Sequence, residues 1–502
     1  MNNCLLFNVS TEKNLATRCP GVYRIAHYLR ENNWDVEVIE YAKYWTVDEL
    51  KALAKSRIDA NTKFLGFSHM FSIWAAALEE FCLWMKLTYP NIVIISGSPV
   101  KPNFTSKAID YYIQGFGELA LVELLKYLFS NGTRPKINIF NDGSKKIIEA
   151  NNSNPSYPMS SLMIKYQDRD FIIPEEWLGI EFARGCKFAC DFCNFPVLGV
   201  KGDYSRDAED FREQMQDTYD RFGVSNYLVA DETFNDSTEK ITKFADAVEQ
   251  LTFTPWFSGF LRADLMISRP KDREELLRMN FLGHYYGVES FNTETARIVG
   301  KGMPAERVKQ GLMDIKDYFK SHGRKQYRGT ISLIVGLPYE TPQTIEETTQ
   351  WLIDHWQGES FVTFVMEIMI SDSDKKSKIA LDHKKYGYTA MSEQQLAEAE
   401  AEFRDRIYFP NVVVGMSPTY LKWQNEYMNL YTATELTDAM YKVNYNDNYD
   451  FKMDCWGLAN PGMSGSIEDK LTVRRGAWDG LLPSAAGKRL IPKYIQNKLN
   501  WR

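Results

Sequence analysis

The stretch Cys186-Lys187-Phe188-Ala189-Cys190-Asp191-Phe192-Cys193 follows directly on the strand-like run Gly179-Ile180-Glu181-Phe182-Ala183-Arg184-Gly185. Its C-x3-C-x2-C spacing predicts three thiolates on one tight loop at the end of a strand. Soft thiolate ligands select iron-sulfur clusters, and three of them leave one iron of a four-iron cluster open to another molecule. Two other chemistries fit three cysteines: a structural zinc ion and plain burial in a core. A structural zinc asks for four nitrogen or sulfur ligands. No fourth Cys or His stands within the local spacing, and the nearest other cysteine, Cys82, is far away.

Around this stretch, the 502 residues are too many for one ordinary core and predict two or three domains. Apolar content of 44% and charged content of 25% are globular values. A net charge of -7 argues against a broad phosphate-binding surface, so nucleic acid is not an expected partner. Near the end of the chain Lys470, Arg474, Arg475, Lys488, Arg489, Lys493, Lys498 and Arg502 face the single acid Asp479, which reads as a solvated basic face. Seven cysteines, an odd number, do not make a disulfide framework and fit a reducing compartment. The start, Met1-Asn2-Asn3-Cys4-Leu5-Leu6-Phe7-Asn8, lacks the basic and apolar regions of a signal peptide, and no apolar run is long enough for a bilayer. A cytoplasmic protein with no membrane partner is expected.

Before the cysteines, strand and helix patterns alternate. Strands are expected at 4–10, 35–41, 63–69, 91–96 and 111–114, with helices at 21–33, 47–57, 73–87 and 118–129. This alternation predicts an open, doubly wound parallel sheet over 1–130. Its ligands would sit at the carboxyl ends of the strands. Two loops stand there, Ser96-Gly97-Ser98-Pro99 and Gly115-Phe116-Gly117-Glu118, with small residues that let a ligand approach the backbone. Plain turn chemistry explains Ser96, Gly97, Gly115 and Gly117 equally well. An Asn, Ser, Pro and Gly-rich stretch from Ser130 to Tyr166 reads as a linker, placed at 131–174.

Over 175–375 the alternation returns. Strands are expected at 179–185, 227–233, 256–263, 283–290, 329–337 and 361–370, with helices at 208–222, 237–251, 272–279, 305–322 and 341–355. Six such units predict a partial (β/α)6 barrel with its chemistry at the C-terminal strand ends. Beyond it, 376–502 is expected to be mostly helical and aromatic-rich, with a charged helix at 392–406. Its aromatics, among them Tyr408, Tyr420, Trp423, Tyr441 and Trp456, build either a small core or a substrate-stacking surface.

The cysteine stretch resembles the signature of the radical S-adenosylmethionine (radical SAM) superfamily, with Phe192 matching the aromatic before the last cysteine. The resemblance implies that Cys186, Cys190 and Cys193 ligate a [4Fe-4S] cluster whose open iron binds S-adenosylmethionine. Asp231-Glu232, Arg262, Glu289-Ser290 and Ile334-Val335-Gly336 then resemble, strand by strand, the motifs that hold that molecule. Glu289 and Ser290 would meet its methionyl amine or ribose, Arg262 its carboxylate region, and the backbone from Ile334 to Gly336 its adenine. Other readings stay open: a helix-capping role for Asp231 and Glu232, and a structural ion pair between Glu289 and Arg262.

The first domain is similar to the cobalamin (B12)-binding domain of one branch of that superfamily. Its first loop, Asn8-Val9-Ser10-Thr11-Glu12-Lys13, lacks the D-x-H-x-x-G pattern that supplies a cobalt-ligating His, and His69 after the third strand reads as an ordinary histidine. Cobalamin therefore stays open. The resemblance implies reductive cleavage of S-adenosylmethionine to a 5'-deoxyadenosyl radical, which abstracts hydrogen from an unactivated carbon of a small-molecule or peptide substrate. It also implies an electron donor such as flavodoxin or ferredoxin. With cobalamin the outcome would be methyl transfer; without it, rearrangement, oxidation or bond formation. A non-catalytic metal-binding scaffold is the remaining alternative.

Overall fold

The structure is a computed structural model that describes residues 2–9, 17–68, 76–98, 106, 108–130, 138–142, 145–150, 163–174, 176–193, 204–322, 327–335, 337–356, 361–367, 377–386, 388–390, 423–425, 454–455, 458–459 and 485–501. His69, most of the first loop, Gly336, the helix expected at 392–406 and most of the aromatic segment lie outside these residues.

The N-terminal part runs β1 (Asn2–Asn8), β2 (Thr17–Arg18), α1 (Pro20–Glu31), β3 (Trp34–Ile39), α2 (Val47–Arg57), β4 (Thr62–Ser68), α3 (Ala76–Thr88), β5 (Val93–Ser98), β6 (Tyr111–Gln114), α4 (Gly117–Phe129), β7 (Asn138–Asp142) and β8 (Lys145–Glu149). Local chemistry sets these bounds. Thr46 and Glu49 close a capping box at the start of α2, satisfying amides that the helix leaves without partners. The sheet order is β3-β1-β4-β5-β6-β8-β7, and every pairing is parallel except β7 with β8. The order reverses between β3 and β4 on either side of β1, the switch point at which doubly wound sheets bind ligands.

One expectation is corrected here. The stretch read as a linker contributes β7 and β8 to this sheet as an antiparallel pair, with Asp142 opposite Lys145. Turn residues look alike in the two settings, and only the pairing of Ile147 with Tyr112 tells them apart.

The second sheet is built from β9 (Trp177–Ile180), β12 (Asn226–Val229), β13 (Trp256–Leu261), β14 (Phe281–Glu289), β15 (Arg328–Val335) and β16 (Phe361–Glu367), all parallel. A short pair, β10 (Ala183–Arg184) with β11 (Tyr204–Ser205), follows β9. The helices between the strands are α5 (Ala208–Phe222), α6 (Thr238–Val248), α7 (Ala263–Ser268), α8 (Lys271–Arg278), α9 (Thr293–Ile298), α10 (Ala305–Ser321) and α11 (Pro342–His355). Asp207, Ser237 and Asn292 cap α5, α6 and α9 through their side chains. Phe182, Phe211, Phe234, Phe244, Phe257 and Phe281 form one aromatic cluster, with Phe182 and Phe211 4.5 Å apart between ring centres. That cluster anchors the strand end from which the cysteine loop departs.

The two sheets are joined. Residues of β2 pair with Trp177 and Leu178, making β2 a seventh strand at the edge of the barrel sheet. Arg18 is fully buried there: its guanidinium meets Glu176 at 2.8 Å, Tyr23 Oη at 2.9 Å and the Asp170 carbonyl at 2.7 Å. The last described helices are α12 (Lys378–Leu381) and α13 (Ala485–Asn500). The latter packs on the first domain, where Tyr494 Oη accepts from Glu40 N at 2.9 Å. Lys498 is fully buried against Glu37 at 3.1 Å, which corrects the reading of this lysine as part of a solvated basic face, while Lys493 is exposed as expected. Among the described residues no helix is long and apolar enough to cross a membrane.

Candidate active site at the barrel strand ends

The cysteine loop begins where β10 pairs with β11, Ala183 opposite Ser205 and Arg184 opposite Tyr204. Gly185 then turns the chain with φ of 102°, a conformation that glycine adopts without steric cost. Within the loop Cys193 N donates to the Cys190 carbonyl at 3.1 Å. Cys186, Cys190 and Cys193 are half-buried. Cys186 Sγ lies 3.7 Å from Thr233 Oγ1, and Arg262 Nη1 is 3.4 Å from Cys190 Sγ. The Arg262 guanidinium thus stands beside the Cys190 sulfur.

Among the described residues no three Cys, His, Asp or Glu side chains gather closely enough to hold a single metal ion. Three cysteines on one short loop, with the Arg262 guanidinium beside Cys190, are a donor set that fits an iron-sulfur cluster.

Arg262 stands at the end of β13. It holds Asp264 through two bonds, of 3.1 and 2.7 Å, and stacks over the Phe188 ring at 4.0 Å. Asp231, after β12, accepts from the Phe182 and Ala183 amides at 2.8 and 3.1 Å. Glu232 accepts from Gly185 N at 3.0 Å. The helix-capping reading of this pair is overturned, since Ser237 caps the following helix. Both acids instead hold the backbone that leads into Cys186. Burial pushes the Asp231 carboxyl well above its ordinary range and raises Glu232 to about 7.

Glu289 ends β14 with φ of 69° and pairs with Lys301 at 3.0 Å, while Lys301 also donates to the Gly287 carbonyl at 2.9 Å. The alternative of an ion pair between Glu289 and Arg262 therefore fails, because each is matched elsewhere. Ser290 Oγ accepts from Asn292 N at 3.1 Å, at the start of α9. Ile334 lies in β15, half-buried. Each of these residues, with the cysteines, stands at or near the C-terminal end of a barrel strand.

In the first domain Ser96 and Gly97 belong to the end of β5 rather than to a loop, with Ser96 fully buried. Among the described residues a Cβ on Gly97 would meet the Ile113 and Phe67 carbonyls, at 3.9 and 4.0 Å. Gly115, with φ of 99°, turns the chain after β6, and Gly117 opens α4 against Ile113 and Ile25. Glu118 is buried and bonds to both Arg24 and Arg184, and both arginines also bond to Glu181. The Arg184 guanidinium lies 4.0 Å over the Phe116 ring. The Gly115-Phe116-Gly117-Glu118 loop is thus packed on the strand that ends two residues before Cys186. Sequence reading placed both loops at strand ends but missed Arg24 and Arg184; the one available signal was the pair of charges, Glu181 and Arg184, inside the strand-like run beside the cysteines.

Residues 180–352 match the radical SAM superfamily. The fold is similar to that of the radical S-adenosylmethionine methyltransferase TsrM from Kitasatospora setae, solved with tryptophan substrate and a SAM analogue bound (TM-score 0.63, 11% identity, 99% of each chain covered). It is also similar to the cobalamin-dependent S-adenosylmethionine radical enzyme OxsB with aqua-cobalamin bound (TM-score 0.54, 16% identity), over 77% of this chain and 56% of that one. The chain therefore spans little more than half the length of OxsB. No curated protein matches it in sequence. At these identities the structural likeness establishes the shared fold: a doubly wound domain followed by a partial barrel.

Proposed function

We propose, from the premise that this chain belongs to the radical SAM superfamily through residues 180–352, that it is a cobalamin-dependent radical SAM enzyme that methylates an unactivated carbon of a small-molecule or peptide substrate. The observation that carries this reading is the packing of Phe116 and Glu118 on Arg184, which sets the strand-end loop of one domain beside the cysteine loop of the other. When bound, a [4Fe-4S] cluster and cobalamin supply one-electron cleavage of the S-adenosylmethionine sulfonium and methyl transfer, respectively. The chain's own residues bind and orient. Cys186, Cys190 and Cys193 hold the cluster, with Phe192 beside the last thiolate.

Arg262 places its guanidinium at the Cys190 sulfur, and Asp231 and Glu232 fix the backbone leading into Cys186. This moves all three from direct contact with S-adenosylmethionine to support of the cluster loop. Glu289 and Ser290, with the backbone from Ile334 to Gly336, keep the methionyl, ribose and adenine contacts. Ser96, Gly97, Gly115 and Gly117, at or next to the first domain's strand ends, are the residues that would border a corrin. A flavodoxin or ferredoxin in a reducing cytoplasm would supply the electron.

The test is anaerobic reconstitution with iron, sulfide and hydroxocobalamin, followed by visible spectroscopy and assay for cleavage of S-adenosylmethionine. Cluster and corrin absorbance with cleavage supports the reading. Iron retained in full by the Cys186/Cys190/Cys193 triple Ala variant refutes it. Cluster and cleavage without corrin leave a cobalamin-free radical SAM enzyme, the reading favoured by the missing first-loop histidine.

A further inference from the structure

We propose that Asp191, Lys378 and Tyr386 are positioning residues: residues 377–386, beyond the barrel, clamp the peptide between Cys190 and Cys193 and fix how the loop presents its thiolates. The proposal rests on the reading of this loop as the cluster site.

Every polar group of Asp191 is engaged. Its N–H donates to the Val299 carbonyl at 3.1 Å, and its own carbonyl accepts from Ile379 N at 3.1 Å. One carboxylate oxygen accepts from Lys378 Nζ at 2.7 Å and the other from Tyr386 Oη at 2.6 Å. Lys378 Nζ reaches the Ala189 carbonyl as well, at 3.2 Å.

Gly300, with φ of 83°, also brings its backbone against the loop, where a Cβ would stand 3.6 Å from Cys190 Cα. The loop is thereby held by two segments distant from it in sequence, at Val299–Gly300 and at 377–386. It needs that grip, because from Phe188 to Cys193 it contains neither helix nor strand, and within it Cys193 N donates to the Cys190 carbonyl.

Irregular backbone carrying three ligands must be ordered before metal binding, and groups that orient ligands commonly matter to metal affinity about as much as tenfold or more. The Lys378 side chain is 59% exposed, so its bond to Asp191 adds little to global stability. Its consequence is geometric. Tyr386 is buried and supplies the second, better shielded bond.

The full-length protein, reconstituted anaerobically with iron and sulfide, provides the test. Asp191→Asn, Lys378→Gln and Tyr386→Phe are compared with the parent in three measurements: thermal unfolding before reconstitution, the rate of iron loss to a chelator, and the electron paramagnetic resonance spectrum of the reduced cluster. The expected result is an unfolding midpoint close to the parent's, iron loss faster by roughly tenfold in Asp191→Asn, a changed spectrum, and recovery in Lys378→Arg. Parent-like iron loss and spectra in both Asp191→Asn and Tyr386→Phe overturn the proposal. A lowered midpoint with a parent-like spectrum also overturns it, by assigning these bonds to folding alone. If the parent itself takes up no iron, it is the cluster reading that falls, a failure distinguishable from the other two.

Discussion

Arg184 Nη2 donates to Glu118 Oε1 at 2.9 Å across the junction of the two domains, with both side chains 4% exposed. Arg24 and Glu181 complete the group, so two cations and two anions are buried together next to the cysteine loop. Taking such charges out of water is costly, and removal of one partner strands the rest. Glu118→Gln is expected to lower the stability of the folded protein by about 3 kcal/mol, read as a shifted urea midpoint. An unchanged midpoint would show that the four charges are not coupled.

Gly179 gives a second test of the junction. A Cβ there would stand 2.3 Å from Pro20 Cδ and 3.0 Å from the Arg18 carbonyl, and the proline ring has no rotamer with which to retreat. Gly179→Ala should therefore cost roughly 1–3 kcal/mol through overpacking. Adding Pro20→Ala should recover part of that loss, measured by thermal unfolding. Equal stability of the single variant and the parent would mean that the strand edge yields freely.

The barrel core holds a pH-dependent group. His284 is fully buried in β14, with its ring nitrogens 2.6 Å from Tyr286 Oη and 2.8 Å from the Phe281 carbonyl. Burial drives its pKa from the ordinary value near 6.5 down to about 3. The folded state therefore refuses a proton that the unfolded state accepts. Its contribution to stability is complete above pH 6.5 and declines as pH falls from 6.5 toward 3, by at most about 1.4 kcal/mol per pH unit. The expected outcome is a shallower loss of stability between pH 6 and 4 in His284→Phe than in the parent. Identical slopes would place the acid sensitivity in other groups.

How much of this was legible in the sequence follows from where each interaction lies along the chain. The barrel strands and the cysteine loop were readable because strand, turn and ligand spacing are local properties of Gly179 to Cys193. The expected strand at 179–185 nevertheless divides into β9 and β10, because Phe182 leaves the ladder to enter the aromatic cluster. β2 was not readable: two residues carry no periodicity, and its place as a seventh strand depends on partners about 160 residues away. Separation in sequence also hides the roles of Asp231, Arg262 and Asp191, whose partners lie 49, 72 and 187 residues away. Their residue types suggest a ligand, whereas their partners are backbone amides, a thiol, and side chains from beyond the barrel. Lys498 looked solvated for a similar reason, since its acid, Glu37, comes from the other end of the chain.

The final prediction concerns the first domain and the corrin. Gly97 sits at the end of β5, where among the described residues a Cβ would meet carbonyl oxygens at 3.9 and 4.0 Å, so Gly97→Ala should fold and behave as the parent does. A tryptophan there would project bulk into the space a corrin's tail needs, and overpacking of that kind abolishes binding rather than weakening it. The parent should retain hydroxocobalamin through gel filtration, with a spectrum that lacks histidine coordination because the first loop offers no histidine. Gly97→Trp should lose the corrin yet keep its iron, since the cysteine loop is built from other elements. If the parent holds no corrin while still cleaving S-adenosylmethionine, methyl transfer is removed and radical chemistry without cobalamin stands. If Gly97→Trp loses iron and corrin together, the substitution has disturbed the junction at Arg184 and Glu118, and the corrin must be located from Gly115 and Gly117 instead.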